Sequence, residues 1–189
     1  MAKRKGGKIA AVVIIVVVGV AALGYFGYLP FLNSPHFGFP SSSQMSSASG
    51  NGNTYNQQGS PQSPSGNQGS GGSSGVVSAQ ELNYTSSTKA SWIQVVEVQY
   101  SNDNDARNAY LNLTGQAGPV SFKSSGSGNL SYRGFTYAYV TATALGLTIS
   151  SSTGYDSNYL FLIFAFQGSA SSISINACSQ SVISSMYSV

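Results

Sequence analysis

The sequence predicts an α+β domain in its C-terminal part, a small mixed or antiparallel sheet with two helices in the order β-α-β-β-β-α, preceded by one transmembrane helix and a disordered stalk. Three observations carry this reading. β-branched and aromatic runs recur after residue 90, and two segments in the same region place apolar residues at helical spacing. The first third of the chain holds a long uncharged apolar run followed by a long polar one.

Residues 1–8, MAKRKGGK, are a basic N-terminus, and 9–32, IAAVVIIVVVGVAALGYFGYLPFL, contain no charge over 24 residues. About 20 apolar residues cross a hydrocarbon core. Tyr25, Phe26 and Tyr28 suit the outer interface, and Pro30 ends the helix. Lys3, Arg4, Lys5 and Lys8 precede the span, and no basic residue follows it until Lys89. The positive-inside rule therefore puts the N-terminus in the cytoplasm and the rest outside, on the cell surface, with the bilayer as first partner through 9–32. Two competing readings keep the same topology. One is a secretory signal cleaved near Ala21, Ala22 and Gly24; the other is a pilin-like leader cut beside Gly6 or Gly7. An uncleaved anchor is preferred because the apolar run exceeds the length of a signal core.

Residues 33–75 form the expected stalk: NSPHFGFP at 33–40 lies at the membrane surface, and from Ser41 to about Gly75, some 35 residues, the chain is Ser, Gly, Gln, Asn and Pro with almost nothing apolar. Such a composition offers too little burial to offset the entropy of ordering it, so a flexible neutral stalk is expected, spanning roughly 30–35 Å. His36, at the membrane end of this stretch, reads as an interfacial polar residue, since a single His has no companions to share a metal with.

The foldable unit is then 76–189. WIQVVEVQY from Trp92 to Tyr100 reads as a strand. In SNDNDARNAYLNL, Ser101 or Asn102 caps a helix, Asp103 and Asp105 suit its positive end, and Ala106, Ala109, Tyr110 and Leu113 form its apolar face. Val120 to Lys123 is a short strand. Phe135 to Thr143 is a longer one, with Phe135, Tyr137 and Tyr139 on one face, and Leu145 to Ser150 extends the ladder. YLFLIFAF, from Tyr159, is apolar throughout, as a central strand is, and Gly154, Asp156 and Ser157 mark the turn before it. A last helix begins after Ser171 or Ser172 and buries Ile175, Cys178, Val182, Ile183 and Met186. The simplest layer solution puts both helices on one face, and a ferredoxin-like arrangement is the best single topology.

Composition excludes several functions. The charged fraction is 7%, against about 25% in average chains. From Glu81 onward four cations face five carboxylates, a net of −1, so the domain has no basic surface for nucleic acid. One His and one Cys exclude metal sites built from several such ligands, and no cofactor motif is present. Cys178 reads as a buried structural thiol, and the tyrosines of FTYAYV as core or half-buried packing. Arg133 beside Gly134 is a turn charge. Asn83, Asn112 and Asn129 head Asn-x-Ser/Thr sequons, which count as N-glycosylation acceptors in an exported chain.

The expectation is a non-enzymatic, membrane-anchored surface module that binds a cell-envelope protein or glycan or serves a membrane complex as an accessory subunit. A pilin-like filament subunit is the alternative, followed by an enzyme relying on Glu97 or Asp156. Few carboxylates and many hydroxyls point to an acid-living archaeal source, since little stability can be lost when carboxylates protonate.

Overall fold

A computed structural model describes residues 37–64, 75–86, 90–115, 129–144, 147–168 and 173–188. The basic N-terminus, the apolar 9–32 segment, His36 and the expected strand at Val120 to Lys123 lie outside these residues. Among the described residues no helix is long and apolar enough to cross a membrane.

The fold is α+β, with seven strands and three helices in the described residues. In chain order these are α1 (Ser42–Ser49), β1 (Tyr55–Gln62), β2 (Val76–Ser86), β3 (Ser91–Tyr100) and α2 (Asp103–Gly115), then β4 (Asn129–Tyr132), β5 (Phe135–Ala144), β6 (Leu147–Asp156), β7 (Tyr159–Gln167) and α3 (Ile175–Met186). The strands form one sheet in the order β1-β2-β3-β7-β6-β5-β4, and every neighbouring pair is antiparallel. Two meanders, β1-β2-β3 and β4-β5-β6-β7, join through β3 and β7. This replaces the ferredoxin-like expectation, which lacked β1, β2 and β4.

The helices divide between the two faces, against the expectation of one shared face. Met45 of α1 and Ile175, Cys178, Val182 and Ile183 of α3 pack with Tyr84, Ile93, Val95, Tyr137, Phe161 and Ile163. On the other face, Ala106 and Tyr110 of α2 pack with Val96, Val98, Tyr100, Leu160 and Leu162. The physical reason is visible in β3 and β7. Both are apolar on both faces, so each face must be covered to remove that surface from water.

The stalk expectation fails for 37–62. Ser41 accepts from the Gln44 N–H at 3.3 Å, while Gln44 Oε1 accepts from the Ser41 N–H at 2.7 Å, a reciprocal capping box. Gly50 closes the helix at φ 66°. Serines then complete the next strand, because the Ser46 hydroxyl accepts from the Tyr55 N–H at 2.8 Å and the Ser42 hydroxyl from the Gln57 N–H at 3.0 Å. Met45 and Tyr55 are fully buried and provide the apolar area that the rest of the segment lacks. Their burial, with these side-chain bonds to backbone, offsets the entropy that composition alone suggested would win.

Asn102 caps α2, its Oδ1 accepting from the Asp105 N–H at 3.0 Å, and Asp103 and Asp105 fill the first turn. Tyr132 and Phe135 flank a two-residue hairpin turn in which Arg133 and Gly134 both have positive φ, 49° and 94°. Gly154 is not a turn residue. It lies inside β6, opposite Tyr137 and Phe161. α3 begins after Ser174, whose side chain makes no capping bond, rather than after Ser171 or Ser172. On its inner face the Ser179 and Ser152 hydroxyls lie 2.8 Å apart, which brings the helix close to β6.

Cys178 is a free, fully buried thiol on the inner face of α3, and burial pushes it up to about 12. The thiolate is the reactive form. The native protein is therefore expected to give no reaction with a thiol-exchange reagent, and the unfolded protein a full equivalent. Rapid labelling under native conditions would contradict the packing described here.

Candidate functional site

One end of the face covered by α3 carries a cleft of 390 Å³. Three elements shape it: the extended strap 37–40, the β6–β7 turn and the C-terminal end of α3. The turn is fixed by its neighbours. Ser157 adopts φ 51°, the Asn158 side chain donates to the Tyr100 carbonyl at 2.9 Å, and the Tyr100 N–H donates to the Asn158 carbonyl at 2.8 Å. The turn is thereby tied to the end of β3 and presents Asp156, Ser157 and Tyr159 to the cleft.

Aromatic rings form much of the lining. Phe37 meets Tyr159 edge-on at 6.2 Å, and Phe135 meets Tyr187 edge-on at 6.0 Å. The Tyr187 hydroxyl donates to Asp156 in a short hydrogen bond. Burial, then the bond to Asp156 and its charge, push the Tyr187 hydroxyl up to about 12, so it remains a donor at neutral pH. Ser185 and Ser188 complete the rim. The result is a mixed lining of aromatic rings, hydroxyls and one carboxylate.

Glu97 lies beneath the strap. Its Oε2 accepts from the Gly38 N–H at 3.1 Å, and its Oε1 has no hydrogen-bond partner among the described residues. The residue is fully buried. Burial pushes the carboxyl well above the usual carboxylate range, and the Gly38 N–H partly offsets that. Burial, and next the Glu97 charge, likewise raise the hydroxyls of Tyr84 and Tyr159. Tyr84 in turn donates to the Pro40 carbonyl at 2.6 Å, so two side chains of the sheet hold the strap.

The two carboxylates weighed in the sequence thus lie at the same end of the sheet, both next to Tyr159: Asp156 in the cleft and Glu97 under its wall. The sequence offers Glu97 as one of two carboxylates on which an enzyme could rely. The signal for its burial is parity. Glu97 follows Ile93 and Val95 on one face of a strand whose other face carries Val96 and Val98, so either register would bury it. The sequons are scattered. Asn83 is half-buried in β2, Asn112 is exposed on α2, and Asn129 opens β4. Tyr137 and Phe135 are buried in the core and Tyr139 packs partly against it. The largest exposed aromatic is on the opposite face, where Trp92, 39% exposed, stacks on Phe166 at 6.4 Å.

No protein-family model matches the chain, and no curated protein does. Among solved structures, the chain is similar to the extracellular domain of PknH from Mycobacterium tuberculosis, over 87% of this chain and 93% of that one, with a TM-score of 0.53 and 12% sequence identity. At that identity the likeness is one of fold alone.

Proposed function

We propose that this protein is a non-enzymatic surface module, anchored in the membrane by 9–32, whose outer domain binds a neutral, hydroxyl-rich ligand such as a cell-envelope saccharide in the cleft at the end of α3. The lining of that cleft carries the reading. The aromatic rings of Phe37, Phe135, Tyr159 and Tyr187 offer apolar and π surface for the C–H groups of a sugar, while Asp156, Ser157, Ser185 and Ser188 offer acceptors and donors for its hydroxyls. An exported position is supported by the basic-then-apolar N-terminus and by the fold shared with an extracellular domain.

The test is calorimetric titration of the full-length protein with neutral envelope oligosaccharides. Asp156→Asn and Tyr159→Ala are each expected to weaken binding by about tenfold, the loss that follows when one charge-assisted hydrogen bond or one ring contact is removed. Binding unchanged in both variants, or none in the parent protein, would refute the proposal.

A further inference from the structure

We infer that Glu97 is a proton-operated latch: its carboxylic acid form holds the 37–40 strap down on the sheet, and its carboxylate form lets the strap go.

Geometry makes the strap a separable part. Two side chains of the sheet hold its backbone, Glu97 at the Gly38 N–H and Tyr84 at the Pro40 carbonyl, while Phe37 and Phe39 add ring packing against Tyr159 and the core. Gly38 fits because it has no side chain, since a Cβ there would run into the Ser185 carbonyl at the end of α3. Below Glu97 lie β2, β3 and β7, with Gln80 and Phe161 as its partners in register. Water therefore has its shortest way in from above, through the strap.

The two protonation states differ in what they demand. A neutral acid leaves one O–H without an acceptor here, a far smaller cost than leaving a charge unhydrated. A carboxylate would have one oxygen bonded to Gly38 and one bonded to nothing, with no cation paired to it among the described residues. When the proton passes to bulk water, the charge gains most by becoming hydrated, and that requires the strap to lift. The ionisable groups around Glu97 do not interfere. Tyr84 from β2 and Tyr159 from β7 are held protonated by burial and by Glu97 itself. Tyr187, after α3, also stays protonated, and its hydroxyl is engaged with Asp156 of β6. Arg107 and Arg133 are on α2 and in the β4–β5 turn.

The direction of the pH effect follows. The docked strap raises the carboxyl above its free value, so the docked form binds more protons between the two. Docking is complete below the ordinary carboxylate range and is lost as pH rises through the raised value. Phe37 and Gly38 are one wall of the cleft, so the same proton sets its shape.

Hydrogen exchange of the full-length protein in lipid nanodiscs, from about pH 4 to about pH 9, tests the latch. The amides of Phe37, Gly38 and Phe39 are read relative to those of β7, which removes the intrinsic pH dependence of exchange. Relative protection of the strap is expected to fall by about tenfold per pH unit above the titration point. In Glu97→Gln, a neutral isostere, it is expected to stay high throughout. Should that variant fail to fold, infrared spectroscopy of the parent protein replaces it: the carbonyl band of the protonated acid is expected to vanish over the same pH interval as the strap protection. Protection that does not change with pH in the parent, the same pH dependence in Glu97→Gln, or a carbonyl band that persists after the strap has opened would each overturn the latch.

Discussion

Replacing Gly154 with alanine is expected to lower the unfolding free energy by about 3 kcal/mol, the upper part of the usual range for overpacking a well-filled core. Gly154 sits mid-sheet in β6, paired with Tyr137 on β5 and Phe161 on β7. A Cβ at this position would come within 2.5 Å of the Tyr137 Cβ and 2.7 Å of the Phe161 ring. Neither neighbour has room to retreat. Tyr137 is buried with its hydroxyl donating to Asn176 of α3 at 2.7 Å, and Phe161 packs on Phe135 at 5.6 Å in the same cluster. Glycine ordinarily weakens a strand, and alanine would ordinarily strengthen it. Chemical denaturation of the variant therefore discriminates cleanly, since an unchanged or raised midpoint would mean that the rings do not close over residue 154.

Truncation at Val76, the domain boundary that composition suggests, is expected to abolish cooperative folding, whereas a chain that begins just before Phe37 should fold. The shorter chain lacks α1 and β1. It forfeits the burial of Met45 and Tyr55, about 2–3 kcal/mol each, and exposes the surfaces of Tyr84 and Ile93 that these residues cover. β2 would also become an edge strand along most of its length, from Glu81 to Ser86. Those losses are comparable with the whole stability of an ordinary domain, about 5–15 kcal/mol. Thermal unfolding followed by circular dichroism on the two chains decides the matter. A sharp transition in the chain from Val76 would mean that 37–62 is an accessory rather than part of the core.

The two variants probe opposite kinds of legibility. β3, β5, β7, α2 and α3 could be read from the sequence because each satisfies a local rule: β-branched and aromatic runs in the strands, period near 3.6 in the helices, and a cap at Asn102. The buried Cys178 and the Arg133-Gly134 turn were readable for the same reason. α1 and β1 were hidden because their composition is that of a coil. Their one local signal was the Ser41-to-Gln44 capping box followed by Met45 and closed by Gly50. β2 was hidden because Gln80, Glu81 and Asn83 interrupt its apolar residues, and a strand flanked by two others needs little more than a regular backbone.

The sequence by itself determined that a charge-poor α+β unit follows a basic and then apolar N-terminus, because net charge, hydropathy and short-range periodicity are properties of neighbouring residues. Only the tertiary structure decided which residues make the cleft. Phe37, the Asp156–Tyr159 hairpin end and Tyr187 are far apart in the chain and meet only because the strap lies over the sheet and α3 ends beside the β6–β7 turn. It likewise decided the state of Glu97, whose strand parity promised burial but whose partner, the Gly38 N–H, comes from 59 positions away. Burial raises the energy of a charge according to everything that surrounds it in space, and that surrounding is set by long-range packing rather than by the residues on either side.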